Sequence, residues 1–314
     1  MQELKIEKKD ASQRLDKYLK KFLKEAGSGF IYKMLRKKNI TLNGKKAEGS
    51  ELLKEDDVIK MFFSDETFEK MRGNEEEDPD ADQLILPRLQ PDIVYEDEHI
   101  LIVDKPAGML SQSDKSGDVS VNDWLKMYLK AEGYPKEAFT PAVCNRLDRN
   151  TSGLVLCAKT YAGSRYLSGI IKDHSLRKFY LALVEGKMSG RAVLEGIWHK
   201  DEKKNKVSIR PLPKNEMSGK MSDGYVKTAY RVIRVIGSLT LLEVELFTGK
   251  SHQIRAHLAS AGHPLAGDVK YGGHPYKGKG QKLRAYKLCF PDTEGEFSYL
   301  SGREFTAKDI SREW

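Results

Sequence analysis

The chain is poor in cysteine and has no long apolar run. Its three cysteines, Cys144, Cys157 and Cys289, are odd in number and form no CxxC pair. That argues against a disulfide framework or a zinc ribbon and fits a reducing compartment. No stretch of about eighteen uninterrupted apolar residues occurs, so no membrane span is expected. The opening MQELKIEKKD has no apolar signal region, and the expected location is the cytoplasm. A Gly-rich phosphate loop is missing too. Gly27-Ser28-Gly29 lies between two helical patterns rather than after a strand, so it is no dinucleotide fingerprint. His252 and His257 stand five apart, a spacing that does not put two ligands on one helix face. No metal and no cofactor are expected.

What is present is charge. The 314 residues carry a net +8, with 32% charged and 39% hydrophobic residues. This is the composition of a globular protein with a highly charged surface. The charge is uneven. Residues 1–63 hold 16 Lys/Arg against 10 Asp/Glu, residues 64–83 hold 2 against 9, and the other 231 hold 36 against 27. Two basic bodies are thus joined by an acidic strap. Basic surfaces attract polyanions, because each neutralised phosphate releases condensed counterions.

The first body reads as two helices followed by strands. Leu15, Tyr18, Leu19, Phe22 and Leu23 recur at helical spacing within residues 12–27, with Ser12 as N-cap and Gly27 as stop. In the second helix Phe30, Ile31, Met34 and Leu35 face inward, Ser28 caps, and Lys33, Arg36, Lys37 and Lys38 face outward. ITLNG is a strand ending in an Asn43-Gly44 turn, and residues 57–63 are another strand. Residues 64–83 hold too few apolar groups to offset their ordering entropy, so a flexible linker is expected over 64–89. From residue 90 onward many strand-like runs are mixed with helices at 120–133, 164–174 and 252–262. There is no regular βαβ rhythm, which argues for an α+β fold with a mixed, mainly antiparallel sheet. The expected division is therefore a module at 12–63, a linker at 64–89 and a main domain at 90–314.

The most informative segment is PAVCNRLDRNTSGLVLCAK. Asp148 lies between Arg146 and Arg149 and ahead of Thr151-Ser152-Gly153, which reads as a tight turn into a strand. An aspartate beside guanidinium groups favours its carboxylate form, and a positioned carboxylate serves as nucleophile or base. An isolated string of this kind is ordinarily a turn with a salt bridge.

The string is not isolated. NRLDRNTSGLVLCAK resembles the signature of the RluA-like family of RNA pseudouridine synthases, in which HRLD is followed by two residues and then TSG. KFYLALVEG (178–186) resembles the family segment that supplies an active-site tyrosine, here Tyr180. FTGKSHQIRAHLASAGHPLAGDVKYGG (247–273) resembles the motif whose arginine pairs with the catalytic aspartate, here Arg255. KLRAYKLCFP (282–291) resembles the last core strand, and residues 12–63 resemble the S4 RNA-binding module. Together these cover nearly the whole chain. Four positions depart from the family pattern: Asn145 replaces His, Lys250-Ser251 replace Arg-Thr, and Arg284 stands where His is common.

The resemblance implies an enzyme that isomerises uridine in RNA, with Asp148, Tyr180 and Arg255 as catalytic residues. The reaction breaks the N1–C1′ bond and rejoins the ring through C5, so no donor, metal or redox cofactor is required. Asp148 either attacks the sugar or ring, or removes a sugar proton to give a glycal. Arg255 would hold the carboxylate, and Tyr180 would stack on the base, with its hydroxyl available for proton transfer at C5. The target base must leave its stack. Arg146 is the candidate to fill the gap; the alternatives are a partner of Asp148 or of an RNA phosphate. RNA contact is also expected at Arg149, Lys178 and His252, and on the module at Lys33, Arg36, Lys37 and Lys38. Large-subunit (23S) ribosomal RNA is the implied target, and transfer RNA is the alternative. A non-catalytic S4-type RNA-binding protein would not need the three residues together. An RNA methyltransferase would need a Gly-rich cofactor loop, which is missing. No helix shows a spare apolar face, so a monomer is expected.

Overall fold

The computed structural model describes residues 1–73, 89–134, 139–212, 224–278 and 280–307. The first segment packs around a core of its own. Strand β1 (Gln2–Lys5) precedes helices α1 (Leu15–Phe22) and α2 (Ser28–Arg36). Strands β2 (Ile40–Leu42), β3 (Lys45–Lys46) and β4 (Val58–Met61) follow, then helix α3 (Asp65–Arg72). The four strands form one antiparallel sheet in the order β1-β4-β2-β3. Leu15, Leu19, Ile31 and Leu35 from the helices and Leu23 just after α1 meet Ile40, Ile59 and Met61 from the sheet in one buried cluster. Asn43 and Gly44 take φ of 51° and 72°, the left-handed pair that a two-residue hairpin turn requires.

Three expectations change here. The caps are shifted: Arg14 is the N-cap of α1 and Gly27 that of α2, with α1 ending at Phe22. The chain ahead of α1 is held elsewhere, because Ser12 N–H donates to Leu53 O at 2.7 Å and Leu15 N–H to Glu51 O at 2.8 Å. The module also extends beyond 12–63, since β1 pairs with β4 along its full length. Residues 65–72, expected within the linker, form α3. Ser64 Oγ caps this helix by accepting from Thr67 N–H at 3.2 Å, and Asp65 and Glu66 sit at its positive end. Phe68 is buried beside Phe22, with ring centroids 6.2 Å apart. One aromatic anchor and a good cap supply what composition does not register. Residues 74–88, the rest of the acidic run, lie outside the described residues.

The second body is an eleven-stranded sheet with helices on both faces. Its elements are β5 (Asp92–Glu96), β6 (Ile100–Lys105), α4 (Val121–Ala131), β7 (Ala142–Val143), β8 (Ser152–Ala158) and α5 (Tyr161–Lys172). They continue with β9 (Arg177–Glu185), β10 (Arg191–Asp201), β11 (Lys206–Arg210), β12 (Tyr225–Ile236), β13 (Leu239–Leu246), α6 (Gln253–Ser260), β14 (Leu283–Cys289) and β15 (Glu304–Thr306). The main path runs β11-β10-β12-β13-β9-β14-β8-β6-β5, with β7 beside β8 and β15 beside β14. Among the described strands only the β14–β8 pairing is parallel, so the fold is α+β, as expected.

Alternation divides the sheet into two faces. Leu101, Val103, Val155 and Cys157 pack with Trp124, Leu125 and Leu129 of α4 and with Ile254 and Leu258 of α6. Ile100, Ile102, Leu154 and Leu156 pack on the other side with Leu167 and Ile170 of α5 and with Phe297 and Leu300. On the α4/α6 side one row of register partners crosses four strands: Lys105 opposite Gly153, Gly153 opposite Ala285, Ala285 opposite Tyr180. Gly153 makes this row possible. Its φ is +112°, and a Cβ there would lie 2.1 Å from Ala285 O.

Candidate active site

Asp148 sits on the loop between β7 and β8, and that loop is pinned through its backbone. Ser111 Oγ donates to Leu147 O at 3.0 Å and accepts from Leu147 N–H at 3.0 Å. Gly108 N–H donates to Arg149 O at 2.8 Å, and Thr151 N–H to Asp148 O at 3.0 Å. Lys105 Nζ reaches Met109 O at 2.8 Å, Arg149 O at 3.0 Å and Pro106 O at 3.2 Å. Burial pushes the Lys105 amine down to about 7, against the opposing pull of Asp148 and Asp104. The consequence is geometric: strand β6 and the aspartate loop are tied together by one buried side chain.

Arg255 comes from α6, 107 residues further along the chain, and meets the loop. Its Nη1 donates to Asp148 Oδ2 at 2.8 Å. Its Nε and Nη2 grip Asp268 at 2.7 and 2.8 Å, and its guanidinium lies 4.9 Å from the Tyr271 ring centre. Burial opposes its charge, but Asp268 and then Asp148 outweigh that and raise the Arg255 pKa. A bidentate fork of this kind fixes orientation as well as charge. His252, just ahead of α6, has φ 55°. Its Nε2 is 3.7 Å from Asp148 Oδ1, and its Nδ1 is 2.9 Å from Tyr271 Oη.

Tyr180 rises from β9 on the same face and is buried. Burial, and then the charge of Asp148, raise its pKa above the ordinary value. It therefore enters any chemistry as a protonated phenol. The three residues expected to act together thus converge on one face of the sheet.

The other expected site residues divide. Arg146 is exposed, and among the described residues it has no ion pair. The flanking arginines do not hold Asp148: Arg149 Nη2 instead pairs with Asp118 at 2.7 Å and Ser116 Oγ at 2.8 Å. The charge partnership expected of the two flanking arginines is not formed among the described residues; Arg255, expected as the partner from its motif, holds the carboxylate. Lys178 is buried, and burial lowers its pKa, so the expected RNA contact there is not made from an exposed position. His252 is placed against Asp148 rather than on an open surface. Lys33, Arg36, Lys37 and Lys38 are all exposed on the module.

Several site residues escape sequence reasoning. Asp268 falls in GDVKYGG, where Lys270 and Tyr271 read as shaping a loop near the site rather than as doing chemistry, and nothing singles out the aspartate. Lys105 lies in a strand-ending KPAG string, where a fully buried lysine has no periodic signal. Lys206 lies 5.7 Å from the Tyr271 ring centre, and Lys250 5.7 Å from that of Trp198. The residues that depart from the family pattern make local contacts, Ser251 through its backbone alone. Asn145 bridges to β8, its Oδ1 accepting from Leu156 N–H at 2.7 Å. Ser251 O accepts from Trp198 Nε1–H at 3.0 Å. Arg284 pairs with Asp104 at 2.5 Å on the opposite face of the sheet.

Comparison with known proteins completes the picture. Residues 99–260 match the family model described as RNA pseudouridylate synthase. The chain belongs to the RNA pseudouridylate synthase family. An RNA pseudouridine synthase of Mycoplasma genitalium is 31% identical over 92% of this chain and 89% of its own length. Ribosomal large subunit pseudouridine synthase C of Vibrio parahaemolyticus is 29% identical over 96% of this chain and 89% of its own. Its Rickettsia bellii counterpart is 33% identical over 83% of each. Human RNA Pseudouridylate Synthase Domain Containing 1 superposes with a TM-score of 0.53 over 70% of this chain and 84% of its own. At 22% identity, that likeness shows the shared fold alone. This pseudouridine synthase therefore carries the family fold with a small N-terminal α+β sheet consistent with an S4 module.

Proposed function

We propose that this pseudouridine synthase isomerises specific uridines of large-subunit ribosomal RNA, with Asp148 as its nucleophile or base. One observation carries the assignment: Asp148 Oδ2 lies 2.8 Å from Arg255 Nη1 although 107 residues separate them. A guanidinium locked by Asp268 holds the Asp148 carboxylate in one orientation, which a nucleophile or base requires. Arg255 fixes one oxygen of Asp148 and leaves the other, 3.7 Å from His252 Nε2, outside that ion pair. Tyr180, kept protonated by burial and the nearby carboxylate, supplies a ring against the base and a hydroxyl for proton transfer.

The steps balance without a co-reactant. The N1–C1′ bond breaks, the uracil turns, and C5 bonds to C1′. The proton leaving C5 matches the one that N1 gains. Asp148 acts either by adding to the sugar or ring or by removing a sugar proton. The exposed Arg146 fills the space that the extruded base leaves, and the basic face of α2 holds RNA at a distance from the site.

The ribosomal target is supported by the relatives named as large-subunit synthases, which are similar over most of their length. Pseudouridine mapping in total RNA from cells with and without the gene tests it. Loss of modification confined to transfer RNA would overturn the ribosomal target. Asp148→Asn tests the chemistry: it should bind RNA and form no pseudouridine. Wild-type product from that variant would remove Asp148 from its role.

A further inference from the structure

His252 has a feature that RNA contact does not explain. It adopts φ 55°, ψ 16° at the N-cap of α6 and makes no capping hydrogen bond with its side chain. Left-handed backbone is costly for a residue with a Cβ. A glycine would make the same turn freely, so the imidazole itself must be what the site needs. Its ring lies edge-on to Tyr271, with centroids 5.7 Å apart and planes at 88°.

The hydrogen bonds around Tyr271 determine which ring nitrogen carries the proton. Val207 N–H donates to Tyr271 Oη at 2.9 Å. The hydroxyl proton of Tyr271 then needs an acceptor, and among the described residues the one within reach is His252 Nδ1 at 2.9 Å. If Nδ1 carried the proton instead, the hydroxyl hydrogen would be left without a partner beside a half-buried ring, which is the costly arrangement. Nδ1 is therefore an acceptor and Nε2 bears the hydrogen. Nε2 lies 3.7 Å from Asp148 Oδ1, just beyond hydrogen-bond distance, so a small shift of either side chain closes the contact. Burial, with Arg255 and Lys270 nearby, lowers the ring's pKa and so favours its neutral form, against the pull of Asp148 and Asp268.

We propose that His252 is a positioning residue for Asp148. The chain Val207 N–H, Tyr271 O–H, His252 Nε2–H aims a neutral donor at the carboxylate oxygen that Arg255 leaves free. The two oxygens of Asp148 then differ: Oδ2 is tied to a cation, and Oδ1 meets a neutral donor that can yield to substrate. A neutral donor orients the oxygen without adding a second positive charge to quench it. The proposal rests on Asp148 being the reacting carboxylate.

The test has a spectroscopic arm and a kinetic arm, both on the full chain. Long-range proton–nitrogen correlation spectra of the 15N-labelled protein should show His252 protonated at Nε2 and not at Nδ1. Its signals are assigned by their loss in His252→Gln. Tyr271→Phe should abolish that preference. His252→Leu should lower kcat about tenfold, one order below the loss of a donor bonded directly to a reacting oxygen, with KM for RNA unchanged. His252→Gln, which places an amide N–H where Nε2–H was, should recover most of the rate. Protonation at Nδ1 in the wild type overturns the proposal, whatever the variants do. So does a rise in KM at unchanged kcat, which would make His252 an RNA contact. Asp148→Asn, assayed in parallel, separates the two ideas: turnover there sinks the role of Asp148, whereas the protonation of His252 is read without turnover.

Discussion

Asp268 grips Arg255 at two points, Nε at 2.7 Å and Nη2 at 2.8 Å, and so determines that Nη1 is the nitrogen left for Asp148. The carboxylate of Asp268 is 1% exposed and is spent on this grip. Asp268→Asn keeps the shape but removes the charge and turns one acceptor into a donor facing guanidinium hydrogens. A buried guanidinium deprived of its partner costs about 3–5 kcal/mol. The variant should lose about that much stability in denaturant titrations. Its folded fraction should also turn over far more slowly, since Arg255 is free to rotate away from Asp148. A variant of wild-type stability and rate would show that Asp268 is dispensable.

Gly153 makes a sharper prediction. A Cβ there would lie 2.1 Å from Ala285 O and 2.6 Å from Ala285 N, at φ +112°. Both obstacles are backbone in the centre of the sheet, so neither can step aside cheaply. Gly153→Ala should cost more than about 4 kcal/mol, placing it among the exceptional single substitutions. Gly190 is the control: its φ is +70°, and a Cβ added there would meet nothing within 4 Å. Gly190→Ala should cost about 1–2 kcal/mol from backbone strain alone. Melting temperatures of the two variants, measured side by side, check both values.

The same residues show what is legible in the sequence. The long strands and α4 are readable because their periodicity and caps are local. Ser120 caps α4 with a full capping box, and Ser152–Ala158 is one uninterrupted buried run. Asp148, Tyr180 and Arg255 stand out because their motifs resemble a family pattern. Composition alone gives no reason to join them. Asp268, the tie of Lys105 to Arg149 and the tautomer-setting contact of Tyr271 are not legible, because each joins residues 13 or more apart in the chain. The helix at 65–72 escapes for the opposite reason. Acid-rich composition outweighs one buried phenylalanine and one serine cap, although these suffice once α1 offers a surface.

His257 links the site's helix to pH. It is buried, its Nδ1 lies 2.8 Å from Thr228 Oγ1, and its Nε2 has no hydrogen-bond partner among the described residues. Burial lowers its pKa to about 4 from an ordinary 6.5. The unfolded chain therefore takes up this proton first. The stability contributed by the neutral ring is complete above about pH 6.5 and is lost as pH falls toward 4. The loss attributable to this side chain should reach roughly 3 kcal/mol by pH 4. His257→Asn should be less stable at pH 7 yet lose less on acidification. Denaturant titrations of both proteins at pH 7, 5.5 and 4 measure the difference, and parallel acid profiles would show that His257 carries no such linkage.

The exposed basic end of α2 and the turn after it, where Lys37 is the C-cap and Lys38 lies beyond the helix, make the last prediction. Lys33, Arg36, Lys37 and Lys38 are all exposed, and none forms an ion pair among the described residues, so their charges are available to a polyanion. A protein that neutralises phosphates loses affinity with salt at a slope of roughly 0.7–0.9 per contact. Replacing Lys37 and Lys38 with Ala should therefore weaken RNA binding and reduce the slope of log K against log salt by about 1.5. Both side chains lie on the surface, so melting temperature should hold while binding falls. A slope equal to that of wild type would mean that this face stays in solvent when RNA is bound, and that the grip on the substrate lies wholly around the Asp148 cleft.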